Sequence, residues 1–263
     1  LIESQQILIL NQLIKYQIYK MTDLKKIFIT GGTGGIGSAI CNNFLEKNYT
    51  LVLTSSSDEK IKNLKEKYGR NHFYYKVDLS ISDNLQECLN EISNDHKDIS
   101  IIVNNAGVTE DNLIFRMKNE QWSKVIQTNL NSNYQIIKTL LPNMLTRKYG
   151  KIIGISSIVG STGNPGQSNY VASKSGMVGL YKSIASEVAK RNINVNIISP
   201  GFINTAMTNK LNEDQKNSYL SKIPMSRFGN PEDIANLVFF LASDKSSYIT
   251  GQNIHVNGGM LMV

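Results

Sequence analysis

Short apolar segments recur along the chain, and longer segments with helical spacing separate them. The apolar segments are rich in β-branched residues and nearly continuous, which is typical of parallel strands that are covered on both faces. Seven such segments follow Lys25; they are KIFIT, TLVLT, HFYYKVD, ISIIVNN, GKIIGISS, NVNIISP and QNIHVNG.

The segments between the strands have apolar residues at helical spacing. The clearest examples cover residues 35–47, 83–94, 119–147 and 168–191. This alternation predicts an α/β fold: a single-domain, doubly wound Rossmann-type fold whose seven-stranded parallel sheet has helices on both faces. Residues 204–218 are rich in Asp and Asn and interrupt the rhythm, so we expect a loop–helix insertion near the substrate side of the sheet.

The first twenty residues have a different pattern. They contain no Gly or Pro, and Gln and Asn interrupt their apolar positions. We therefore predict that residues 1–20 are an extension outside the fold, either a mis-set start or a short amphipathic arm, and that residues 21–263 form one domain. The interruptions argue against a transmembrane span, and the missing basic region and cleavage site argue against a signal peptide. We expect a soluble, cytoplasmic protein with no membrane partner.

Length and composition support one well-cored domain, because 41% of the 263 residues are apolar. Two cysteines, Cys41 and Cys88, are too few for a disulfide framework and fit a reducing compartment. The histidines His72, His96 and His255 lack metal-ligand spacing, so we predict no metal.

The net charge of +7 allows two interpretations. It can reflect a solvated basic surface, or it can attract an anionic partner such as a phosphorylated cofactor or an acidic protein. Because the chain has neither an arginine-rich tract nor an aromatic RNA-binding motif, we predict no nucleic-acid partner.

The segment TGGTGGIG, from Thr30 to Gly37, places five glycines directly after the first strand. Phosphate can approach a backbone closely only where no Cβ intervenes, and Gly31, Gly35 and Gly37 clear that approach. The helix that follows points its free N–H groups and its positive dipole end at the same place. A plain tight turn is the alternative, but the position after a strand favours a dinucleotide site.

TGGTGGIG resembles the T-G-x-x-x-G-I-G motif of the short-chain dehydrogenases/reductases. Four further segments agree: NNAG at 104–107, Asn129 in QTNL, Ser157 with Tyr170-x-x-x-Lys174, and PGFINT at 200–205. The resemblance covers about Lys25 to the C-terminus, and it implies that residues 21–263 are a catalytic domain.

Longer stretches resemble one branch of that family, the 3-oxoacyl-(acyl carrier protein) reductases. They are NNAGVTEDNLIFRMKNEQW, SSIVGSTGNPGQSNYVASKSG, PGFINTAMT and VNGGM. This likeness implies NADPH-dependent reduction of a 3-oxoacyl thioester to the 3-hydroxyacyl thioester in fatty acid biosynthesis.

Three residues of these motifs suggest acid catalysis. Tyr170 and Lys174 are four residues apart on a predicted helix and therefore share one face. We expect the ammonium to lower the pKa of the phenol, so that Tyr170 can protonate a ketone oxygen. Ser157 ends a strand at the ligand-binding edge and can hold the same oxygen, so Ser157 and Tyr170 would contact the substrate. The thirteen-residue step to Tyr170 matches the family pattern for Ser157, and the step from Ser156 does not. The resemblance adds Asn129, which supports a proton relay through water.

The end of the second strand bears on the choice of cofactor. An acid there would favour NAD, but this strand ends in Thr54 and three serines, which favours NADP(H). Gly34 stands where NADP-using relatives often have Arg, and Lys60 and Lys62 are candidates to compensate. The resemblance implies the cofactor-binding residues Gly31, Gly32, Thr33, Gly34, Gly35, Ile36, Gly37, Ser56, Asp78, Leu79, Asn105, Ala106, Gly107, Tyr170, Lys174 and Ile203.

The resemblance also implies partners. The thioester substrate would arrive on acyl carrier protein, an acidic protein, and Lys148 and Arg191 match the basic docking residues beside the active-site entrance. Each could equally be an ordinary cation at a helix end. The family is usually homotetrameric, and we expect the same here.

Two other functions compete with this interpretation. The first is a related alcohol, sugar or hydroxyacyl-CoA dehydrogenase, because loop changes redirect this fold easily. The second is a non-catalytic, NADP-binding scaffold, which would have a broken Ser/Tyr/Lys set, whereas the set here is intact.

Overall fold

Seven strands form one parallel sheet at the centre of the protein. They are β1 (Lys26–Thr30), β2 (Thr50–Ser55), β3 (Phe73–Lys76), β4 (Ile101–Asn104), β5 (Gly150–Ile155), β6 (Ile193–Pro200) and β7 (Asn253–Val256). Their order is β3-β2-β1-β4-β5-β6-β7, and every neighbouring pair is parallel. The predicted seven-stranded Rossmann-type sheet is confirmed. The structure is a computed structural model that describes residues 25–206, 208 and 212–263, so the predicted extension over residues 1–20 lies outside the described residues.

Helices cover both faces of this sheet. They are α1 (Gly35–Leu45), α2 (Asp58–Tyr68), α3 (Ser82–Asp95), α4 (Asn119–Ile126), α5 (Ser132–Arg147), α6 (Val159–Thr162), α7 (Ser168–Val188), α8 (Glu213–Leu220) and α9 (Pro231–Ala242). The helix predicted over 119–147 is in fact α4 and α5, joined by a π turn at Gln127–Asn131. The helix predicted over 168–191 ends at Val188 and continues as a short 3₁₀ turn, Ala189–Arg191.

Strand residues alternate between two apolar cores, as the two-residue period of a strand requires. Ile27 and Ile29 of β1 pack with α1 and α9, and Phe28 between them packs with α3 and α5. All three side chains are fully buried. Burial of side chains of this size stabilises the fold by about 1.5–3 kcal/mol each, so the central strands fix the frame that carries the site.

The chain reverses its winding direction between β1 and β4. From β1 the strand order proceeds to β2 on one side and from β4 to β5 on the other, which opens a crevice at the carboxyl edge between them. The Thr30 hydroxyl closes the base of this crevice, because its Oγ1 accepts hydrogen bonds from the N–H groups of Asn105 at 3.1 Å and Ala106 at 3.0 Å.

The predicted insertion over 204–218 includes the start of a helix, α8. Asn212 caps that helix, since its Oδ1 accepts a hydrogen bond from Gln215 N at 2.8 Å. Residues 207 and 209–211 of the insertion lie outside the described residues. Among the residues that the structure describes, no helix is long and apolar enough to cross a membrane, and no group of three or more His, Cys, Asp or Glu side chains could hold a metal ion.

Candidate active site

The glycine-rich loop turns tightly at the end of β1. Gly31 has φ +71°, a conformation that favours glycine. A Cβ on Gly37 would lie 2.0 Å from the Gly31 carbonyl oxygen, so no side chain fits there. The loop is held by the bond from Gly34 N to Gly31 O at 3.2 Å, and α1 begins at the next residue. The N-terminus of α1 therefore faces the crevice, as an anion site requires.

A cavity of about 530 Å³ occupies the crevice. Most of the predicted cofactor-binding residues line it: Gly31, Thr33, Gly34, Gly35, Ile36, Gly37, Ser56, Asp78, Leu79, Asn105, Ala106 and Gly107. Gly32 instead faces the core, where a Cβ would lie 3.3 Å from Cys41 Sγ. Ile203 lines a separate pocket of about 270 Å³, together with Phe202 and Val256.

The part of the cavity wall that follows β2 has hydroxyls and an ammonium. Ser55, Ser56 and Lys60 line this part, while Lys62 does not line it and lies 3.9 Å from Glu66. The nearby Asp78 carboxylate accepts two hydrogen bonds from Ser80, one from the backbone N–H at 2.8 Å and one from the hydroxyl at 2.7 Å. Together with the glycine cradle, this donor set fits a dinucleotide that carries an additional phosphate.

Tyr170 and Lys174 lie on one face of α7, as their spacing predicts. The Lys174 ammonium is 5.6 Å from the centre of the Tyr170 ring and donates a hydrogen bond to the Ile155 carbonyl at 2.7 Å. Only 3% of Lys174 is exposed, and burial lowers its pKa to about 8. A Cβ placed on Gly107 would lie 3.4 Å from Lys174 Nζ, so this ammonium lies next to the cavity wall.

The expected lowering of the tyrosine pKa is wrong. Burial raises the pKa of Tyr170 to about 12, and a hydrogen bond with the Ser157 side chain offsets only part of that rise. The physical reason is that desolvation of the phenolate dominates and the Asp111 carboxylate raises the pKa further, while the Lys174 ammonium is directed at the Ile155 carbonyl. Tyr170 is therefore a neutral phenol near pH 7, which is the form that can donate a proton.

The two serines at the end of β5 have different roles. Ser156 is buried, and its hydroxyl donates to the backbone carbonyl of Lys174 at 3.0 Å. Ser157 is partly exposed, and its hydroxyl faces Tyr170 while weakly accepting from Val159 N at 3.4 Å. Of the two, only Ser157 has a hydroxyl available to a bound carbonyl.

Asn129 lies in the π turn and is fully buried. Its amide forms a reciprocal pair with the backbone of Val108, at 2.8 Å from Val108 N to Oδ1 and 2.9 Å from Nδ2 to Val108 O. Nδ2 also donates to Ser173 Oγ at 3.1 Å. The side chain therefore binds the cavity wall to α7, and π turns of this kind are frequent at functional sites.

The structure adds residues that the sequence prediction did not single out. Asn169 Oδ1 accepts from Tyr170 N at 2.7 Å, and its Nδ2 donates to the Glu110 carbonyl at 3.0 Å, which orients the start of α7. Thr205 lies over the glycine loop, where a Cβ on Gly35 would be 3.0 Å from Thr205 Cγ2. Thr205 is the last residue of the PGFINT motif, and this position is the sequence signal that could have identified it. Lys124 also lines the cavity, but its ammonium is paired with Glu110 at 2.5 Å.

Lys148 and Arg191 do not lie beside the entrance of this chain's own site, contrary to the expectation. Lys148 lies two residues before the start of β5 and Arg191 two residues before the start of β6, whereas Ser157 follows the far end of β5. Because β5 has six residues, the two edges are about 20 Å apart. The helices run antiparallel to the strands, so the cations at their C-terminal ends lie at the opposite edge.

Comparisons with known proteins agree with this architecture. A family profile described as Enoyl-(Acyl carrier protein) reductase matches residues 31–261. A 3-oxoacyl-(acyl carrier protein) reductase FabG of Rickettsia felis is 49% identical over 245 residues, which cover 92% of this chain and 100% of that protein. The enzymes with the same name are 46% identical in Buchnera aphidicola, over 90% of this chain and 97% of that protein, and 45% identical in Haemophilus influenzae, over 90% and 98%.

Proposed function

This chain belongs to the short-chain dehydrogenase/reductase family, and from that premise we propose that it reduces 3-oxoacyl-(acyl carrier protein) to the 3-hydroxyacyl form with NADPH, in fatty acid biosynthesis. The observation that carries the proposal is that Ser157, Tyr170 and Lys174 converge beside the glycine-lined cavity. The substrate follows from the names of relatives that align over nearly their whole length.

The reaction converts a ketone into a secondary alcohol, so a hydride and a proton must be added. NADPH supplies the hydride when bound. We propose that the neutral phenol of Tyr170 donates the proton to the ketone oxygen, and that the Ser157 hydroxyl holds this oxygen by a hydrogen bond. Lys174, with its pKa near 8, is charged at neutral pH and stabilises the phenolate that remains.

The cavity also suggests how the cofactor is held. The glycine loop and the N-terminus of α1 would take the pyrophosphate, and Ser56 with Lys60 would take the additional phosphate that distinguishes NADPH from NADH. Asp78 and Leu79 would flank the adenine, and Gly107 would line the path towards the catalytic groups. Ile203 would cover the nicotinamide.

The finer expectations of the family likeness are part of the proposal. Acyl carrier protein is the partner that presents the thioester, and Lys148 and Arg191 are its docking residues. A cytoplasmic homotetramer is the expected form. Because both docking residues lie at the far edge of the sheet, a carrier bound there would serve the site of a second copy.

The testing experiment measures NADPH oxidation by the purified protein with acetoacetyl-acyl carrier protein, and in parallel with NADH. We expect turnover with NADPH and a clear preference over NADH. Crotonyl-acyl carrier protein tests the enoyl reduction that the family profile's description names, and we expect no turnover, because the proposed chemistry needs a carbonyl oxygen to protonate.

Two results would contradict the proposal. Turnover of secondary alcohols, sugars or hydroxyacyl-CoA alone would indicate a different dehydrogenase of the same family. Binding of NADPH without oxidation by any 3-oxoacyl thioester would indicate a non-catalytic scaffold.

A further inference from the structure

A chain of buried side chains connects the end of β4 to the π turn that carries Asn129. Asn104 Nδ2 donates to the Tyr181 hydroxyl at 2.8 Å, and that hydroxyl donates to Asn133 Oδ1 at 2.7 Å. Asn133 Nδ2 then donates to the carbonyl oxygen of Asn129 at 2.9 Å. None of the four residues is more than 2% exposed. Because the three buried bonds follow one another in the same donor-to-acceptor direction, each polarises the next.

The π turn depends on side-chain donors of this kind. Its wider loop bonds the N–H of Ser132 to the carbonyl of Gln127, five residues earlier. The next two carbonyls accept from side chains: Thr128 O from Ser132 Oγ at 2.6 Å, and Asn129 O from Asn133 Nδ2. Asn133 therefore holds the residue at the centre of the turn, provided that its amide keeps one orientation.

Tyr181 determines that orientation. An amide can rotate to exchange its oxygen and nitrogen, but the Tyr181 hydroxyl donates to Oδ1 and so leaves Nδ2 facing Asn129. The ring itself is fixed by packing against β5. A Cβ on Gly154 would lie 2.6 Å from Tyr181 Cζ, so the absence of a side chain at position 154 makes room for the tyrosine.

The other end of the connection reaches the reacting groups. Asn129 clamps the backbone of Val108, the neighbour of Gly107 in the cavity wall, and bonds to Ser173. Ser173 Oγ donates in turn to the carbonyl oxygen of Tyr170 at 2.7 Å. A shift of the π turn would therefore move both the cavity wall and the start of the catalytic helix.

We propose that Tyr181 and Asn133 are positioning residues of the reductase: through the Asn129 carbonyl they hold the π turn in the place where Asn129 aligns the cavity wall with Tyr170. The inference rests on the proposed function. Neither side chain lines the cavity, so an effect on the reaction passes through their bonds, of which the bond to the Asn129 carbonyl reaches the π turn.

The first variant is Tyr181→Phe, which removes the hydroxyl and keeps the ring. We expect kcat for acetoacetyl-acyl carrier protein to fall about tenfold, since misplacement by a fraction of an ångström is sufficient for losses of this order. KM for the thioester and the Kd for NADPH should stay within about twofold of the parent values, because the groups that bind them are unchanged. The melting temperature will also fall, because Asn133 Oδ1 loses its donor and Asn104 Nδ2 loses its acceptor.

The second variant separates positioning from stability. In Tyr181→Phe with Asn104→Leu, the hydroxyl and the amide that faces it are both replaced by apolar groups, so no buried Asn104 amide is left without its acceptor and part of the lost stability returns. Asn133 still lacks the hydroxyl that orients its amide, so we expect kcat to remain low while the melting temperature recovers. The control is Tyr149→Phe, which loses a hydroxyl bond to Asp244 of 3.2 Å at the other edge of the sheet and should keep the parent kcat.

The remaining outcomes contradict either the positioning role alone or the proposed reductase function as well. If kcat recovered together with the melting temperature in the double variant, or if Tyr181→Phe kept the parent kcat, the positioning role would be refuted and the reductase function would stand. If KM and the Kd for NADPH rose as much as kcat fell, the defect would be general unfolding of the site and the inference would also fail. A parent protein that does not reduce the thioester would overturn the proposed function and the inference with it.

Discussion

Lys174 shows at the scale of one residue how burial opposes charge. Its ammonium is buried to 3% exposure, with the Ile155 carbonyl as its close oxygen partner, and its pKa falls to about 8 as a result. A group kept in so unfavourable an environment is typical of sites that serve a reaction rather than stability. The neighbouring Tyr170 shifts in the other direction for the same reason.

The burial of Lys174 affects the free energy of unfolding over a defined pH range. Below about pH 8 the amine is charged in both the folded and the unfolded states, and its burial lowers the free energy of unfolding by up to about 3 kcal/mol. Between about pH 8 and 10.5 the unfolded state binds more protons, so this loss disappears as the pH rises.

We therefore expect Lys174→Met to abolish reduction and yet raise the free energy of unfolding at pH 7, with a smaller gain at pH 9.5. Urea unfolding at the two pH values measures this difference. Lys182→Met, at an exposed position of the same helix, should change neither value. A Lys174→Met protein that is less stable than the parent at pH 7 would contradict the account.

Lys60 tests the cofactor preference at the same scale. Of the two lysines that line the cavity, Lys124 is paired with Glu110, whereas no ion pair of Lys60 is found among the described residues. We expect Lys60→Gln to weaken the binding of NADPH and of 2′,5′-ADP about tenfold, or about 1.4 kcal/mol, and to leave NADH binding unchanged. Calorimetric titration measures these affinities. Lys62→Gln is the matched control, and an equal effect in both variants would argue against a specific phosphate contact.

At the scale of elements, the glycine loop and α1 depend on the absence of side chains. We expect Gly37→Ala to force the loop apart, because its Cβ would lie 2.0 Å from the Gly31 carbonyl, and to abolish detectable NADPH binding with a loss of about 1–3 kcal/mol of stability. Gly179→Ala in α7 meets no neighbour within 4 Å and should raise stability by about 0.5–1 kcal/mol. Fluorescence titration measures NADPH binding, and thermal unfolding measures the stability of both variants. Normal NADPH binding by Gly37→Ala would exclude the loop as the phosphate site.

The sequence predicted elements well where the signal is local. The strands are visible as β-branched runs, and Gly31, Tyr170 and Lys174 belong to short motifs whose spacing has a physical meaning. The π turn could not be predicted, because its geometry depends on donors from Asn133 and Tyr181 that only the tertiary fold brings together. The pKa of Tyr170 was mispredicted for a similar reason. The four-residue spacing shows that the Lys174 ammonium is near, but it does not show how far the phenol is removed from water.

At the scale of the whole molecule, the topology places the crevice at the β1/β4 boundary and the cations Lys148 and Arg191 at the opposite edge. In the predicted fold the crossover helices run antiparallel to the strands, so residues at their C-terminal ends lie near the starts of the strands. The expectation that both cations lie beside the entrance did not take this direction into account. This edge is about 20 Å from Ser157, so its proposed role as a docking surface depends on a second copy.

We expect Lys148→Glu together with Arg191→Glu to raise KM for acetoacetyl-acyl carrier protein several-fold and to spare a small soluble β-ketoester, since the two cations act only on the acidic carrier. Steady-state kinetics on both substrates measures the difference. Equal losses on both substrates would reject the docking role and indicate damage to the fold.

The central claim is that the half-buried, neutral phenol of Tyr170 protonates the ketone oxygen during reduction by NADPH. The most direct measurement compares the rate of NADPH oxidation with acetoacetyl-acyl carrier protein for the parent and for Tyr170→Phe, with the Kd for NADPH measured on both. The account predicts a fall in kcat of about 100-fold or more with little change in that Kd. A Tyr170→Phe protein that reduces the thioester at the parent rate would contradict it.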